Sequence, residues 1–253
     1  MRLRPPAGFR VAVVGGCGGI GRSLVAAALD AGMAIAILDL PASLAAHPPP
    51  AGCLTHAVDA TSPTDVESAF AGIRADWGAL DGLVNLCGFS GPRKPLLELE
   101  LTAWREVTQG NLDAAFLISK YALPLLLQGS APAIVHVASS LAVKASPGYG
   151  PYASAKAGIL ALTRLLASEH SPSIRVNAVA PSAVRTEFIT GGTGRKVEGS
   201  APLFDLDDYG RALPLQRVAE AEDVVGPILF LLGPGSRYMT GQVLHVNGGL
   251  FQP

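Results

Sequence analysis

The stretch 139–156, SSLAVKASPGYGPYASAK, holds three side chains able to move or hold a proton: Ser139, Tyr152 and Lys156. Tyr152 and Lys156 stand four apart in a run, YASAKAGILALTRLLASE, with helical composition and periodicity. On a helix, positions i and i+4 share a face. A free phenol titrates near ~10 and is a poor base at neutral pH. A lysine cation beside it favours phenolate and lowers that value. The oxygen can then exchange a proton with an alcohol or a ketone. Ser139 ends an apolar, strand-like run, AIVHVAS, and its hydroxyl can donate to the same oxygen. A Tyr-x-x-x-Lys pair alone is common on solvated helices, so the case rests on what the rest of the chain supplies.

Those residues need elements to position them. RVAVV (10–14) reads as a short buried strand that runs into GGCGGIG and then into a helix, RSLVAAALDAG. A glycine loop between strand and helix is the context of a dinucleotide site. Gly15 allows the tight turn, Gly19 lets backbone approach pyrophosphate, and Gly21 permits close helix packing. The N–H groups that open the helix face the phosphates. AIAILDL is a second strand with Asp39 at its end. A carboxylate there can accept both hydroxyls of an adenosine ribose and repels a 2'-phosphate, which argues for NAD over NADP. Pro41 to Gly52 is proline-rich and reads as a loop with room for a short helical turn. CLTHAVDA is a third strand closed by Asp59, DVESAFAGIRADWG a helix, and GLVNLCG a fourth strand. TAWREVTQGNLDAAFLISKYALPLLL is one long helical region with Asn111 inside it. AIVHVAS, SIRVNAVAPSAV and GQVLHVNGG are the fifth to seventh strands. Strands alternating with helices predict an α/β fold: a Rossmann-type, doubly wound, seven-stranded parallel sheet with helices on both faces. No repeat or second domain is visible, so residues 1–253 are expected to form a single domain.

Composition excludes several function classes. Hydrophobic residues are 49% and charged ones 15%, which is ample for a core and for a buried subunit interface. The formal net charge is -1. There is no basic surplus for phosphate-backbone contacts, so no nucleic-acid partner is expected. MRLRPPAGFR has no apolar segment and is not a signal peptide. The most apolar run, Leu112 to Leu127, is broken by Asp113, Lys120 and Pro124, so no membrane span is expected. Cys17, Cys53 and Cys87 are too few for a disulfide framework and fit a reducing cytoplasm. The five histidines form no ligand-spaced cluster, so no metal site is expected.

Taken in order, GGCGGIG, Asp39, Asp59, NLCG, Asn111, Ser139, YASAK, RVNAVAPS, Thr186 and GQVLHVNGG make the chain resemble the short-chain dehydrogenase/reductase family, in its single-domain form, over nearly its whole length. The resemblance implies roles. Tyr152 would be the general acid/base, and Lys156 would lower its pKa and bind the nicotinamide ribose. Ser139 would hold the substrate oxygen, and Asn111 would interrupt its helix and anchor a proton-conducting water. The cofactor-binding set it implies is Gly15, Gly18, Gly19, Ile20, Gly21, Asp39, Leu40, Asp59, Ala60, Asn85, Cys87, Gly88, Tyr152, Lys156, Pro181, Val184 and Thr186. Within that set Asp59 would meet adenine, Asn85 and Gly88 the adenosine, and Val184 and Thr186 the carboxamide. The implied activity is NAD-dependent interconversion of a secondary alcohol and a ketone. The implied assembly is a tetramer joined through the helices of Asn111 and Tyr152.

The sequence departs from the family pattern at Val14 (usually Thr), Leu86 (usually Asn), Cys87 (usually Ala) and Ser182 (usually Gly). An apolar Val14–Leu86 contact is expected to replace a lost polar link, since removing both partners of a buried bond can be nearly neutral. Cys17 and Cys87 read as small filler or as thiols near the cofactor, Cys17 with a pKa lowered by the helix N-terminus. Residues 187–209 are expected to form a substrate lid, with Gly191, Gly192, Gly194 and Gly199 giving it mobility. Phe188, Leu203, Phe204 and Tyr209 would cover an apolar, cyclic or aromatic substrate approached also by Phe89 and Tyr149. Arg195 and Lys196 read as solvated, or as facing an acidic group. Two rivals stay open: an NADPH-dependent 3-oxoacyl reductase, and a non-catalytic nucleotide sensor on the same fold.

Overall fold

The computed structural model describes residues 3–192, 194 and 204–252. Its seven strands are β1 (Arg10–Val14), β2 (Ala34–Asp39), β3 (Leu54–Ala57), β4 (Gly82–Asn85), β5 (Ala133–Val137), β6 (Arg175–Pro181) and β7 (Val243–Val246). They form one parallel sheet in the order β3-β2-β1-β4-β5-β6-β7. The strand order reverses between β1 and β4, and in open sheets of this kind the crevice beyond the carboxyl ends at that switch point binds ligand.

Both faces of the sheet are covered, which is why β1, β4 and β5 are buried along nearly their whole length rather than on alternate residues. Helix α1 (Gly19–Asp30) packs with α8 (Ala221–Leu232) on one face. There Leu24, Val25, Ile228 and Leu229 meet Val11, Val13, Ile35 and Val135. A second helix set includes α3 (Pro63–Trp77), α5 (Ala114–Leu126) and α6 (Gly150–His170). Its Phe70, Ile73, Ile118 and Leu166 meet the alternate sheet residues Ala12, Leu38, Leu83 and Ile134. Burying one such side chain contributes about 1.5–3 kcal/mol. Ser62 caps α3 by accepting from Asp65 N–H at 3.3 Å, and Gly78, with φ of 70°, ends it.

Four expectations are refined. The proline-rich stretch begins with a true helix, α2 (Pro41–Ala46), because its Pro41 sits where a first-turn proline is tolerated. The long helical region is α4 (Leu101–Thr108), a π turn (Gln109–Asp113) and α5 without a break. β3 stops at Ala57, so Asp59 lies beyond it in a turn, where its Oδ1 accepts from Thr61 N–H at 2.9 Å and Oγ1–H at 2.7 Å. The short α7 (Leu206–Arg211) and α8 had no place in the sequence reading. Pro227 and Gly226 inside α8 hide its periodicity, although the Glu220–Asp223 capping box marks its start.

The expected Val14–Leu86 side-chain contact is not formed. Leu86 N–H donates to Val14 O at 2.9 Å, so the two are backbone partners. Their side chains join different clusters, Val14 with Ala12 and Leu38, Leu86 with Val13 and Val84. Successive strand residues point to opposite faces, and that alternation separates them.

Candidate active site

Tyr152, Lys156 and Ser139 open into one cleft of about 730 Å³ along the carboxyl edge of the sheet. α6 supplies Tyr152 and Lys156, and the residues following β5 supply Ser139. All three are buried, at 6%, 3% and 8% exposure. Lys156 Nζ donates to Val137 O at 3.0 Å and lies 5.6 Å from the centre of the Tyr152 ring. Burial raises the Tyr152 pKa, and a hydrogen bond to Ser139 pulls it back. In the chain alone the loss of water around the phenolate dominates, and the lowering contribution comes from Ser139 rather than from the lysine that was expected to supply it. Burial lowers Lys156 itself to about 8, opposed by the electrostatic interaction with Cys87. Ser139 Oγ also accepts from Leu141 N–H at 3.2 Å, which fixes its rotamer.

Asn111 stands behind the cleft wall in the π turn, fully buried. Its Nδ2 donates to Phe89 O at 2.9 Å and to Val107 O at 2.8 Å. Its Oδ1 has no hydrogen-bond partner among the described residues. A Cβ placed on Gly88 would lie 2.1 Å from that oxygen and 3.3 Å from Lys156 Nζ, so the two groups face the same small space. Asn85 also lies behind the wall, where its Oδ1 accepts from Cys87 N–H at 2.9 Å and shapes the turn after β4.

The other residues of the expected cofactor set all line the cleft. Gly15 has φ of 81°, and a Cβ on Gly21 would lie 2.2 Å from Gly15 O, so only glycine lets α1 approach the loop this closely. A Cβ on Gly19 would lie 2.5 Å from Thr186 Cγ2, which brings the segment after β6 directly over the loop. No side chain caps the N-terminus of α1. Asp39 accepts from Cys17 N–H and Leu40 N–H, each at 2.8 Å, one on each oxygen, and each oxygen keeps a lone pair for a hydroxyl. An uncapped helix start behind a glycine cradle, with a carboxylate one strand away, fits a dinucleotide. Arg22 bridges to Glu187 at 2.6 Å and to Cys17 O at 2.8 Å, tying the start of the lid segment to the loop.

Cys17 does not have a lowered pKa. Burial, and next the charge of Asp39, raise it to about 11, and the side chain is 2% exposed. Burial also raises Cys53. Among the described residues no group of three or more His, Cys, Asp or Glu could hold a metal ion, and no helix is long and apolar enough to cross a membrane.

Phe188 packs 5.8 Å from Tyr152 between ring centres, and Phe204 packs 5.1 Å from Tyr209. Phe89, Tyr149, Phe188 and Phe204 all line the cleft. Gly191, Gly192 and Gly194 take φ of 107°, 85° and 76°, values that favour glycine. The expectations for Arg195, Lys196, Gly199 and Leu203 lie outside the described residues.

Residues 15–251 match a family model described as enoyl-(acyl carrier protein) reductase. The chain is 33% identical to cis-4-hydroxycyclohexanecarboxylate dehydrogenase of Sinomonas cyclohexanicum, over 95% of this chain and 96% of the relative. It is 31% identical to 2-(S)-hydroxypropyl-CoM dehydrogenase 3 of Xanthobacter autotrophicus, over 95% of each. The chain belongs to the short-chain dehydrogenase/reductase family. Among solved members, a Brucella melitensis short-chain dehydrogenase/reductase described as a glucose/ribitol dehydrogenase superposes with a TM-score of 0.87 at 26% identity, covering 99% of both chains. As a short-chain dehydrogenase/reductase the protein is an oxidoreductase of a nicotinamide-using family.

The cleft of this family member also has walls that the sequence reading did not name. Arg93, Lys144 and Leu250 line it. Arg93 and Lys144 carried a readable signal, since each follows a motif strand on the loop leading from the sheet edge. Leu250 carried none, because a tail following β7 reaches the site only through folding.

Proposed function

We propose that the chain is an NAD-dependent oxidoreductase that interconverts a secondary alcohol and a ketone, with Tyr152 as general acid/base. The observation that carries this reading is the buried Tyr152 phenol, placed with Ser139 and Lys156 in the same cleft as the glycine loop. In the oxidative direction the alcohol O–H gives its proton towards Tyr152 while the carbinol C–H leaves as hydride. The bound cofactor supplies the acceptor carbon for that hydride. Ser139 donates to the substrate oxygen and stabilises its developing charge. Lys156, lowered by burial to about 8, can hold or release a proton near neutral pH and so reset the tyrosine. Asn111 Oδ1, a buried acceptor that no group among the described residues satisfies, suits a water feeding protons to Lys156.

Asp39 supports NAD over NADP, since its carboxylate would meet a 2'-phosphate with like charge. Val184 and Thr186 would hold the carboxamide, and Asp59 the adenine. The aromatic cover of Phe89, Tyr149, Phe188 and Phe204 supports an apolar, cyclic or aromatic substrate, and the Sinomonas relative is named for a ring-borne alcohol. The chain would work as a single domain with residues 187–209 as its lid. It would assemble as a homotetramer through the helices carrying Asn111 and Tyr152, on which Phe116 and Leu165 are 50% and 52% exposed. Three cysteines, Cys17, Cys53 and Cys87, with no disulfide among the described residues, suit the cytoplasm.

Tyr152→Phe tests the reading. Turnover of secondary alcohols should fall by ~10²–10⁴-fold, while NADH affinity, measured by fluorescence titration, stays close to wild type. Retained turnover would remove Tyr152 from the chemistry. A Salmonella typhimurium relative named 3-oxoacyl-[acyl-carrier-protein] reductase, 29% identical over 77% of this chain, favours one second reading, an NADPH-dependent 3-oxoacyl reductase. Michaelis constants for NADH against NADPH separate the two. A nucleotide sensor would bind NAD tightly and turn over nothing on an alcohol and ketone panel.

A further inference from the structure

Behind the wall of the cofactor cleft lies an ion pair that the proposed chemistry does not use. Gly19 and Thr186 line the cleft on one side and a shallow second groove on the other. Arg22 and Glu187 line the groove but not the cleft, so they stand behind Thr186. Arg22 lies in the first turn of α1. Its Nη1 donates to Cys17 O at 2.8 Å, and its Nη2 donates to Glu187 Oε1 at 2.6 Å. His47, which follows α2, brings Nε2 to 3.9 Å from the same oxygen. The other carboxylate oxygen faces Gly19, where a Cβ would lie 3.1 Å from Oε2 and 2.5 Å from Thr186 Cγ2. Gly192 N–H donates to Glu187 O at 2.9 Å, so Glu187 is held by backbone and side chain alike.

Burial pushes the Glu187 carboxyl up, and its own backbone N–H, Arg22 and His47 carry it below the ordinary carboxylate range. Glu187 is thus an anion at neutral pH, seated at the start of α1, where uncapped N–H groups favour negative charge. The phosphates of a dinucleotide need the same place. Two anions at one helix start repel unless a cation offsets one of them. The charges nearby are committed elsewhere. Arg185 pairs with Asp207 at 3.1 Å and with Glu220 at 3.3 Å. Glu222 accepts from Ser23 Oγ at 3.0 Å and adds a further exposed acid. The offset for Glu187 therefore falls to Arg22, with His47 farther away.

We propose that Glu187 is a positioning residue for the nicotinamide half of the cofactor, acting through Thr186, and that Arg22 serves it as strut and as counter-charge. This rests on the reading in which Thr186 holds the carboxamide, and deepens it. The ion pair ties Thr186 to the phosphate loop through Cys17 O, so the grip on the carboxamide is set from the pyrophosphate end. Glu187→Gln weakens the strut and removes the charge. Arg22→Met removes the strut and leaves the charge bare. The two changes therefore weaken different halves of the cofactor. The side chains are 37% and 29% exposed, so water screens the pair and the expected factors are modest.

Calorimetry with NADH and with ADP-ribose, which has the adenosine and both phosphates but no nicotinamide, separates the two halves and needs no turnover. Glu187→Gln should weaken NADH by about three- to tenfold and shift ADP-ribose by less than about twofold. Arg22→Met should weaken both ligands, ADP-ribose by about threefold or more. Adding Glu187→Gln to Arg22→Met should bring ADP-ribose back to within about twofold of wild type while NADH stays weakened. Arg22→Lys keeps the charge without the fork and should likewise retain ADP-ribose affinity. An unchanged NADH affinity in Glu187→Gln, or equal weakening of both ligands, overturns the proposal, the second because a loosened loop would do the same. A double variant no better than Arg22→Met at binding ADP-ribose overturns it too. If the wild type shows the expected binding but turns over no alcohol, the oxidoreductase reading fails and the titrations still support the strut. A wild type that binds NADH no more tightly than ADP-ribose has no nicotinamide grip to position, and overturns the proposal whatever it turns over.

Discussion

Gly88→Ala is the sharpest test of how the site is held. Gly88 has φ of 140°, and a methyl group there would lie 2.1 Å from Asn111 Oδ1, 2.9 Å from its Cγ and 3.3 Å from Lys156 Nζ. Ordinary contact lies near ~3.5 Å, so the asparagine must retreat by roughly 1 Å. It has nowhere to go, being fully buried and held through Nδ2 by bonds of 2.9 and 2.8 Å. Giving up one of those bonds leaves a buried donor unmade, which costs about 1–3 kcal/mol. The glycine-favouring backbone adds on the order of 1–3 kcal/mol for alanine. The sum, about 2–6 kcal/mol, lowers the melting temperature by roughly 5–20 °C in a domain of this size. Differential scanning calorimetry measures it, and a cycle with Asn111→Ala assigns it. Removing the asparagine side chain relieves the clash, so the double variant should be more stable than additivity allows by about 1 kcal/mol or more. A Gly88→Ala protein melting within about 2 °C of wild type, or an additive cycle, would refute the reasoning.

Lys156 gives a pH signature. Its pKa falls from 10.5 to about 8 on folding, so between those values the unfolded chain binds more protons and stability rises with pH. Lys156→Met lacks this linkage, so its melting temperature relative to wild type should be highest at pH 8 and below and should drop by pH 10.5. A constant difference across that window would rule out a buried, perturbed ammonium. Asp39→Ser should raise kcat/KM for NADP relative to NAD by about tenfold or more, since each 1.4 kcal/mol of lost repulsion is worth that factor; an unchanged ratio would exclude Asp39 as the discriminator. Cys17 is buried with its thiol raised to about 11, so mass mapping after iodoacetamide at neutral pH should find the half-buried Cys53 and Cys87 labelled before it, and preferential labelling of Cys17 would contradict its burial.

What was legible in the sequence was local. The glycine loop, the short apolar strand runs and the i, i+4 placement of Tyr152 and Lys156 depend on neighbours a few residues away. Their order along the chain specified the sheet. What was not legible came from packing between distant segments. Lys156 turns to Val137 O because α6 lies against the end of β5, and no spacing rule contains that carbonyl. The thiol of Cys17 is raised first by burial and then by Asp39, which arrives beside it from the next strand. The Val14–Leu86 idea failed on register: aligned strand ends suggested contact, while the pleat sends the two side chains to opposite layers. α8 was obscured by its own Gly226 and Pro227, residues that argue against a helix until burial of Val224, Ile228 and Leu231 overrides them.

The π turn at Gln109–Asp113 carries one residue more than a regular helical turn would. That surplus residue sets the azimuth of everything downstream, because each residue advances a helix by about 100°. Deleting a single position there would let α4 and α5 fuse into an unbroken cylinder. It would also swing Ile118, Ala122 and Leu125 off the sheet and expose a polar flank to it. Away from Gly110 and Asn111, whose places are fixed by Phe89 and by two hydrogen bonds, this segment should therefore tolerate substitution far better than a change in length.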